Sequence, residues 1–206
     1  MRRFLTALGL GAALAGPAQA QDGMYGKYET PRYTVIRDLG GAELRTYEPH
    51  LLAVVSVRGN QRGALNQGFR ALAGYIFGGN DGGASVDMTS PVGQSAQIAM
   101  TSPVGQTQDD GVWTVTFMMP RAYDISTLPT PQNDAVRFVE VPARDMAVLT
   151  FSGRATQRAL AAQTQTLEQI IARAGLATTG APMFMFYDDP FTLPQARRNE
   201  VALELL

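Results

Sequence analysis

Tyr33–Asp38 and Ala42–Tyr47 interleave β-branched and aromatic residues with polar ones and are separated at Gly40-Gly41, which predicts two strands. After Pro49 a β-branched run, Leu51 to Gly59, predicts a third. The period then changes. Leu65, Phe69, Leu72 and Ile76 fall at helical spacing with Ala64, Ala71 and Ala73 between them, so a helix is predicted over 62–77, ended by Gly78-Gly79. The later half repeats the plan: a strand at Val136–Val141, a break at Pro142, and a second β-branched run from Met146 to Gly153. A helix over 156–174 follows, with Leu160, Leu167, Ile170, Ile171 and Ala174 on one face and Gly175 at its end. Pro182–Tyr187 and Glu200–Leu205 supply closing strands.

Between the halves one phrase occurs twice. Met88-Thr89-Ser90-Pro91-Val92-Gly93-Gln94 returns as Met100-Thr101-Ser102-Pro103-Val104-Gly105-Gln106, and the second copy leads into a strand ending at Phe117-Met118-Met119-Pro120. Proline fixes its own φ and pushes the preceding residue towards extended geometry, so each copy is expected to be a strand end followed by a turn. The halves also match in letters: Ala53–Gly59 answers Ala147–Gly153, and Ala64-Leu65 answers Ala159-Leu160. The expected fold is α+β. Duplicated β-β-α-β-β halves, related by a pseudo-twofold, form a flattened, barrel-like β structure of two packed sheets with one helix against each.

Residues 1–20 carry a different pattern. Arg2 and Arg3 precede an apolar run from Phe4 to Ala15, and Ala18-Gln19-Ala20 is a small-x-small cleavage site. This is the pattern of a secretory signal peptide, and the run is too short to span a bilayer. Export to the periplasm is the corresponding expectation, with no membrane anchor after cleavage. Residues 21–32 are polar and Gly-rich and are expected as a flexible lead-in to a domain over 33–206. There is no cysteine and one histidine, which removes thiol catalysis, disulfides and Cys/His zinc clusters. A net charge of −1 gives no electrostatic footprint for nucleic acid.

Several segments together resemble the SOUL haem-binding family: Leu44-Arg45-Thr46-Tyr47-Glu48-Pro49, Tyr75-Ile76-Phe77-Gly78-Gly79-Asn80, Ile98–Val104, Trp113–Pro120 with Leu128-Pro129, and Tyr187-Asp188-Asp189-Pro190 leading to Arg197–Val201. The resemblance implies a duplicated barrel-like fold and binding of haem or another tetrapyrrole in an apolar groove beside the first helix. Carried over residue by residue, that groove would use Asn66, Phe69, Ala73, Met88, Met100 and Tyr187. Family members with basic residues on that helix would meet the propionates there. Here the matching positions are Asn66 and Gly74, leaving Arg62 and Arg70 as substitutes. A family histidine in the second strand is replaced by Thr46. His50 lies four residues on and is a candidate axial ligand, since imidazole is the commonest protein ligand to haem iron.

No catalytic constellation stands out. There is no Gly-x-Ser-x-Gly elbow, and Asp109-Asp110 and Asp188-Asp189 sit in turn-like contexts. Two alternatives to tetrapyrrole buffering or trafficking are kept. One is a small-molecule hydrolase of the related effector-binding fold, with Glu48 or Glu140 as a buried carboxylate. The other is a non-enzymatic module whose groove receives a protein segment. Trp113 is expected in the core, and Arg197-Arg198-Asn199-Glu200 is expected as a loop-to-strand closure bonded to carbonyls or to Asp188 and Asp189.

Overall fold

The computed structural model describes residues 19–95, 111–189 and 191–206. In chain order the described elements are β1 (Gln19–Ala20), β2 (Met24–Tyr25), β3 (Tyr28–Glu29), β4 (Tyr33–Asp38), β5 (Glu43–Tyr47) and β6 (His50–Arg58). Helix α1 (Gln61–Ile76) follows, then β7 (Val92–Ser95), β8 (Val112–Met118), β9 (Arg137–Val141) and β10 (Arg144–Phe151). Helix α2 (Gln157–Arg173), β11 (Thr178–Phe186) and β12 (Asn199–Leu205) complete the series.

Ten strands make one sheet in the order β1-β4-β5-β10-β12-β11-β7-β8-β6-β9, with β2 and β3 as a separate hairpin. Every described pairing in the large sheet is antiparallel. The sheet curls into a half-barrel: four strands separate β10 from β6, yet Met146 and Leu52 line the same hollow. The fold is therefore α+β. The β structure is one continuous sheet rather than two packed ones, because β11 pairs with β7; within it β5 pairs with β10 and β9 pairs with β6. Each half thus lends its first strand to the other. Exchanging β5 to β8 with β9 to β12 simply reverses the order of those eight strands, which is the connectivity a pseudo-twofold requires. Strand order is a property of topology, and the ancestral duplication stays an expectation from the sequence.

Both helices start on the side chains expected of caps. Asn60 accepts from the Gly63 N–H at 2.8 Å, and Thr156 accepts from the Ala159 N–H at 3.2 Å. Helix α1 buries Ala64, Gly68, Leu72, Tyr75 and Ile76 against Ala53, Val55 and Val57 of β6 and Val115 and Phe117 of β8. Gly68 permits that approach, since a Cβ there would lie 2.5 Å from Val115. Helix α2 buries Leu160, Leu167, Ile170 and Ile171 against Ala147, Leu149, Phe184, Val201 and Leu203. The alternate residues of the same strands point the other way. Tyr47, Met146, Val148, Met185, Tyr187 and Ala202, with Tyr33, form a third cluster on the helix-free face.

Two local expectations are corrected. The first Met-Thr-Ser-Pro copy is a loop leading into a strand, not a strand ending in a turn. Pro91 has no N–H for the ladder, so β7 starts at the next residue. The second copy, with Met100, lies outside the described residues. Residues 21–32, expected as a loose lead-in, contain the β2–β3 hairpin. It is tied down by Tyr25, which packs edge-on against Tyr187 at 5.1 Å between ring centres and donates to Asp188 at 3.1 Å. Among the described residues no helix is long and apolar enough to cross a membrane.

Candidate functional site

Helical spacing decides what the outer face of α1 presents. Arg62, Asn66, Arg70 and Ala73 recur at three- and four-residue intervals and share the outer side of the helix, while Phe69 sits at its border with the stripe that holds the buried Leu72 and Ile76. Phe69 is 39% exposed, a large apolar ring left open to solvent. It is not loose, because its ring meets Phe117 edge-on at 5.4 Å through the gap beside Gly68. Half-buried Met88 packs on the cluster that contains Phe117. Arg62 and Arg70 are both exposed, and the Arg70 Nε donates to the Asn66 carbonyl at 3.3 Å. The face therefore offers an exposed aromatic ring, with the exposed Arg70 next in sequence and the exposed Arg62 two turns earlier on the helix.

The helix-free face carries a buried charge network. Glu200 on β12 is fully buried and accepts five hydrogen bonds. The donors are Arg45 Nη1 (3.0 Å), Arg198 Nη2 (2.7 Å) and Nε (3.2 Å), Tyr187 OH (2.7 Å) and Thr150 Oγ1 (3.1 Å). Burial opposes its charge, but the Arg45 and Arg198 guanidiniums and the bonds from Arg198 and Tyr187 hold its carboxyl below the ordinary range. Burial beside that negative charge pushes the Tyr47 and Tyr187 hydroxyls upward, so both stay protonated; Tyr187 donates to Glu200, and Tyr47 accepts from Arg45 Nη1 at 3.1 Å. The Arg45 guanidinium also lies 4.3 Å from the Tyr33 ring centre, and that of Arg198 4.4 Å from the Tyr187 ring centre. An ionised carboxylate held between two guanidiniums has no proton to give and makes a poor base. This is a structural hub.

Beside the hub, a small hollow is lined by His50, Leu52, Met118, Arg144, Met146, Met183 and Met185, among others. His50 Nδ1 lies 2.8 Å from the Glu48 carbonyl oxygen, which can only accept, so Nδ1 carries the proton and Nε2 keeps its lone pair. Burial lowers the pKa of this imidazole, and the charge of Arg144 adds to that effect. A larger cleft of about 340 Å³ runs between the start of α1 and α2. Half-buried Trp113, expected in the core, lies on its floor with Phe184 and Leu160.

The residues predicted for the groove divide between the two sides of the sheet. Asn66, Phe69, Ala73 and Met88 gather on the α1 side. Leu51 and Ala53 of β6 face α1, so His50 has the opposite parity and faces the other way. Tyr187 likewise belongs to the helix-free cluster, and its hydroxyl is committed to Glu200. Glu48 and Glu140 are both exposed, so neither is the buried carboxylate that a hydrolytic centre would need. Arg197 Nε reaches the Thr192 carbonyl at 2.8 Å as expected, while the Arg198 side chain turns to Glu200. Sequence reasoning missed the hub, although Glu200 and Ala202 share the inward parity of a closing strand, which was an available signal.

Comparison with known proteins bears on fold and family. No curated protein sequence matches the chain. The C-terminal domain of EcmrR has a similar fold, at TM-score 0.59 and 12% identity over 80% of this chain and 96% of that one. An uncharacterized conserved protein from Listeria innocua is similar at TM-score 0.60 and 13% identity, over 80% and 92% of the two chains. A hydrolase from Listeria innocua is similar at TM-score 0.54 and 12% identity, over 80% and 91%. A family profile described as SOUL heme-binding protein matches residues 28–204, most of the sequence. The chain belongs to the SOUL haem-binding protein family.

Proposed function

We propose that this chain is an exported binding protein that buffers or carries haem or a related tetrapyrrole on the outer face of α1. The observation that carries this reading is Phe69, exposed yet braced by Phe117, with Arg62 and Arg70 exposed on the same helix. A planar macrocycle fits an aromatic platform, and its carboxylates fit guanidiniums. Burying about 200 Å² of apolar surface there contributes about 5 kcal/mol before the costs of association. Met88 supplies an adaptable apolar edge. Bound haem would bring its own iron chemistry, while this face supplies burial and orientation. His50, on the other side of the sheet, is not assigned to the iron. Export rests on the leader pattern of residues 1–20.

Catalysis has less support, since the carboxylates considered for it are exposed or ion-paired. The reading is tested by following amide resonances while zinc protoporphyrin is titrated in. Shifts centred on 62–73 and 88–92 are expected. Shifts centred on β5, β10 and β12 would move the ligand to the helix-free face and overturn the assignment.

A further inference from the structure

Four methionines do not serve the α1 face. Met118, Met146 and Met185 are buried, Met183 is half-buried, and all four line the hollow beside His50. Strand register brings them there. Met118 is opposite Leu52, two residues from His50, and Met185 is opposite Gly93, itself opposite Thr116. Only glycine fits at position 93, because a Cβ there would collide with the Thr116 hydroxyl. The remaining space is about 30 Å³. That is room for a water-sized body to move in, so the hollow admits an ion or a very small molecule, and a tetrapyrrole is far larger.

The geometry points to a site for one soft monovalent metal ion, Cu(I) by chemical class, held by thioethers of this methionine group and by His50 Nε2. Thioether sulfur is a soft, uncharged donor that selects Cu(I) over Zn(II) or Mg(II). His50 has the arrangement of a metal-binding imidazole, donating its other N–H to a backbone carbonyl so that one tautomer is fixed. Charge favours a monovalent ion. Arg144 stands on the rim, paired on one side with Glu204 at 3.2 Å, while its Nε is buried without a hydrogen-bond partner. Among the described residues no carboxylate lines the hollow to offset a divalent charge. The hollow and the α1 face lie on opposite sides of the sheet, so this site does not depend on the tetrapyrrole reading.

The test is anaerobic titration of the chain from Gln21 onward with Cu(I) under ascorbate, in competition with a chromogenic Cu(I) chelator. One equivalent is expected to be withdrawn from the chelator, with shifts in the methyl resonances of Met118, Met146, Met183 and Met185. The double variant Met183→Leu/Met185→Leu keeps side-chain volume and is expected to fold. It and His50→Ala should each weaken binding at least about tenfold, whereas Met24→Leu, at an exposed site, should leave it unchanged. Failure of the wild type to compete overturns the proposal. So does equal affinity in the folded Met→Leu double variant, or equally tight uptake of Zn(II).

Discussion

Replacing Glu200 by Gln keeps the volume of the side chain and removes its charge. Arg45 and Arg198 would then face each other across a neutral amide, in a site where the Glu200 carboxylate is fully buried and the Arg45 side chain is 3% exposed. Removing one partner from a buried ion pair costs about 3–5 kcal/mol, mainly because the other charge is left uncompensated. Arg198 is 29% exposed and can turn partly to water, so the lower end, about 3 kcal/mol, applies. For a chain of this size that corresponds to a fall of roughly 6–12 °C in Tm. Urea unfolding of both proteins, followed by circular dichroism, measures the difference. The pH dependence gives an independent check. Because the carboxyl is held below its ordinary value of 4.5 in the folded state, its contribution is complete above that pH and is lost as pH falls through the folded value. The gap between wild type and Glu200→Gln should therefore be constant near neutrality and close in acid. A loss below about 1 kcal/mol at pH 7, or a gap that does not close in acid, would refute the picture of an ionised hub.

Other expectations are smaller in scale. Gly68→Ala puts a methyl against Val115; overpacking of about 1–3 kcal/mol outweighs a gain of up to about 1 kcal/mol in helix propensity, and Val115→Ala in the same chain should recover part of the loss. Charge reversal of both Arg62 and Arg70 should weaken haemin binding about three- to tenfold and reduce its salt dependence, with little effect on a porphyrin dimethyl ester. If residues 1–20 act as a leader, mass spectrometry of the chain recovered from the periplasm of an expressing cell should place its first residue at Gln21. Of the described elements a chain starting there loses only β1, paired with Thr34 and Val35, so its Tm should stay within about 4 °C of the full chain.

The elements with strong local periodicity were legible in the sequence. Helix α1 was predicted over 62–77 and found at Gln61–Ile76, and α2 was predicted over 156–174 and found at Gln157–Arg173. Both carry an uninterrupted apolar face and a definite stop. The β-branched runs became β6 and β10 for the same reason. Strand β7 was missed, since Val-Gly-Gln-Ser has no alternation of its own and is a strand only because β8 and β11 flank it. The exchange of first strands between halves was equally invisible, because periodicity within a strand does not name its neighbour. The hub depends on contact across the chain: Arg45 meets Glu200 over a separation of 155 residues. At the α1 face, identities could be read but orientation could not. The structure leaves Phe69 exposed on α1 with Arg62 and Arg70 exposed on the same helix, and puts His50 and Tyr187 on the other side of the sheet.

The most direct test is a haemin titration of the chain from Gln21 onward, followed by Soret absorbance, for wild type, Phe69→Asp and His50→Ala. A saturable one-to-one shift is expected in wild type and unchanged in His50→Ala. In Phe69→Asp it should weaken at least about tenfold, or about 1.4 kcal/mol. No saturable shift in wild type, or a shift lost with His50 but kept in Phe69→Asp, would contradict binding on the outer face of α1.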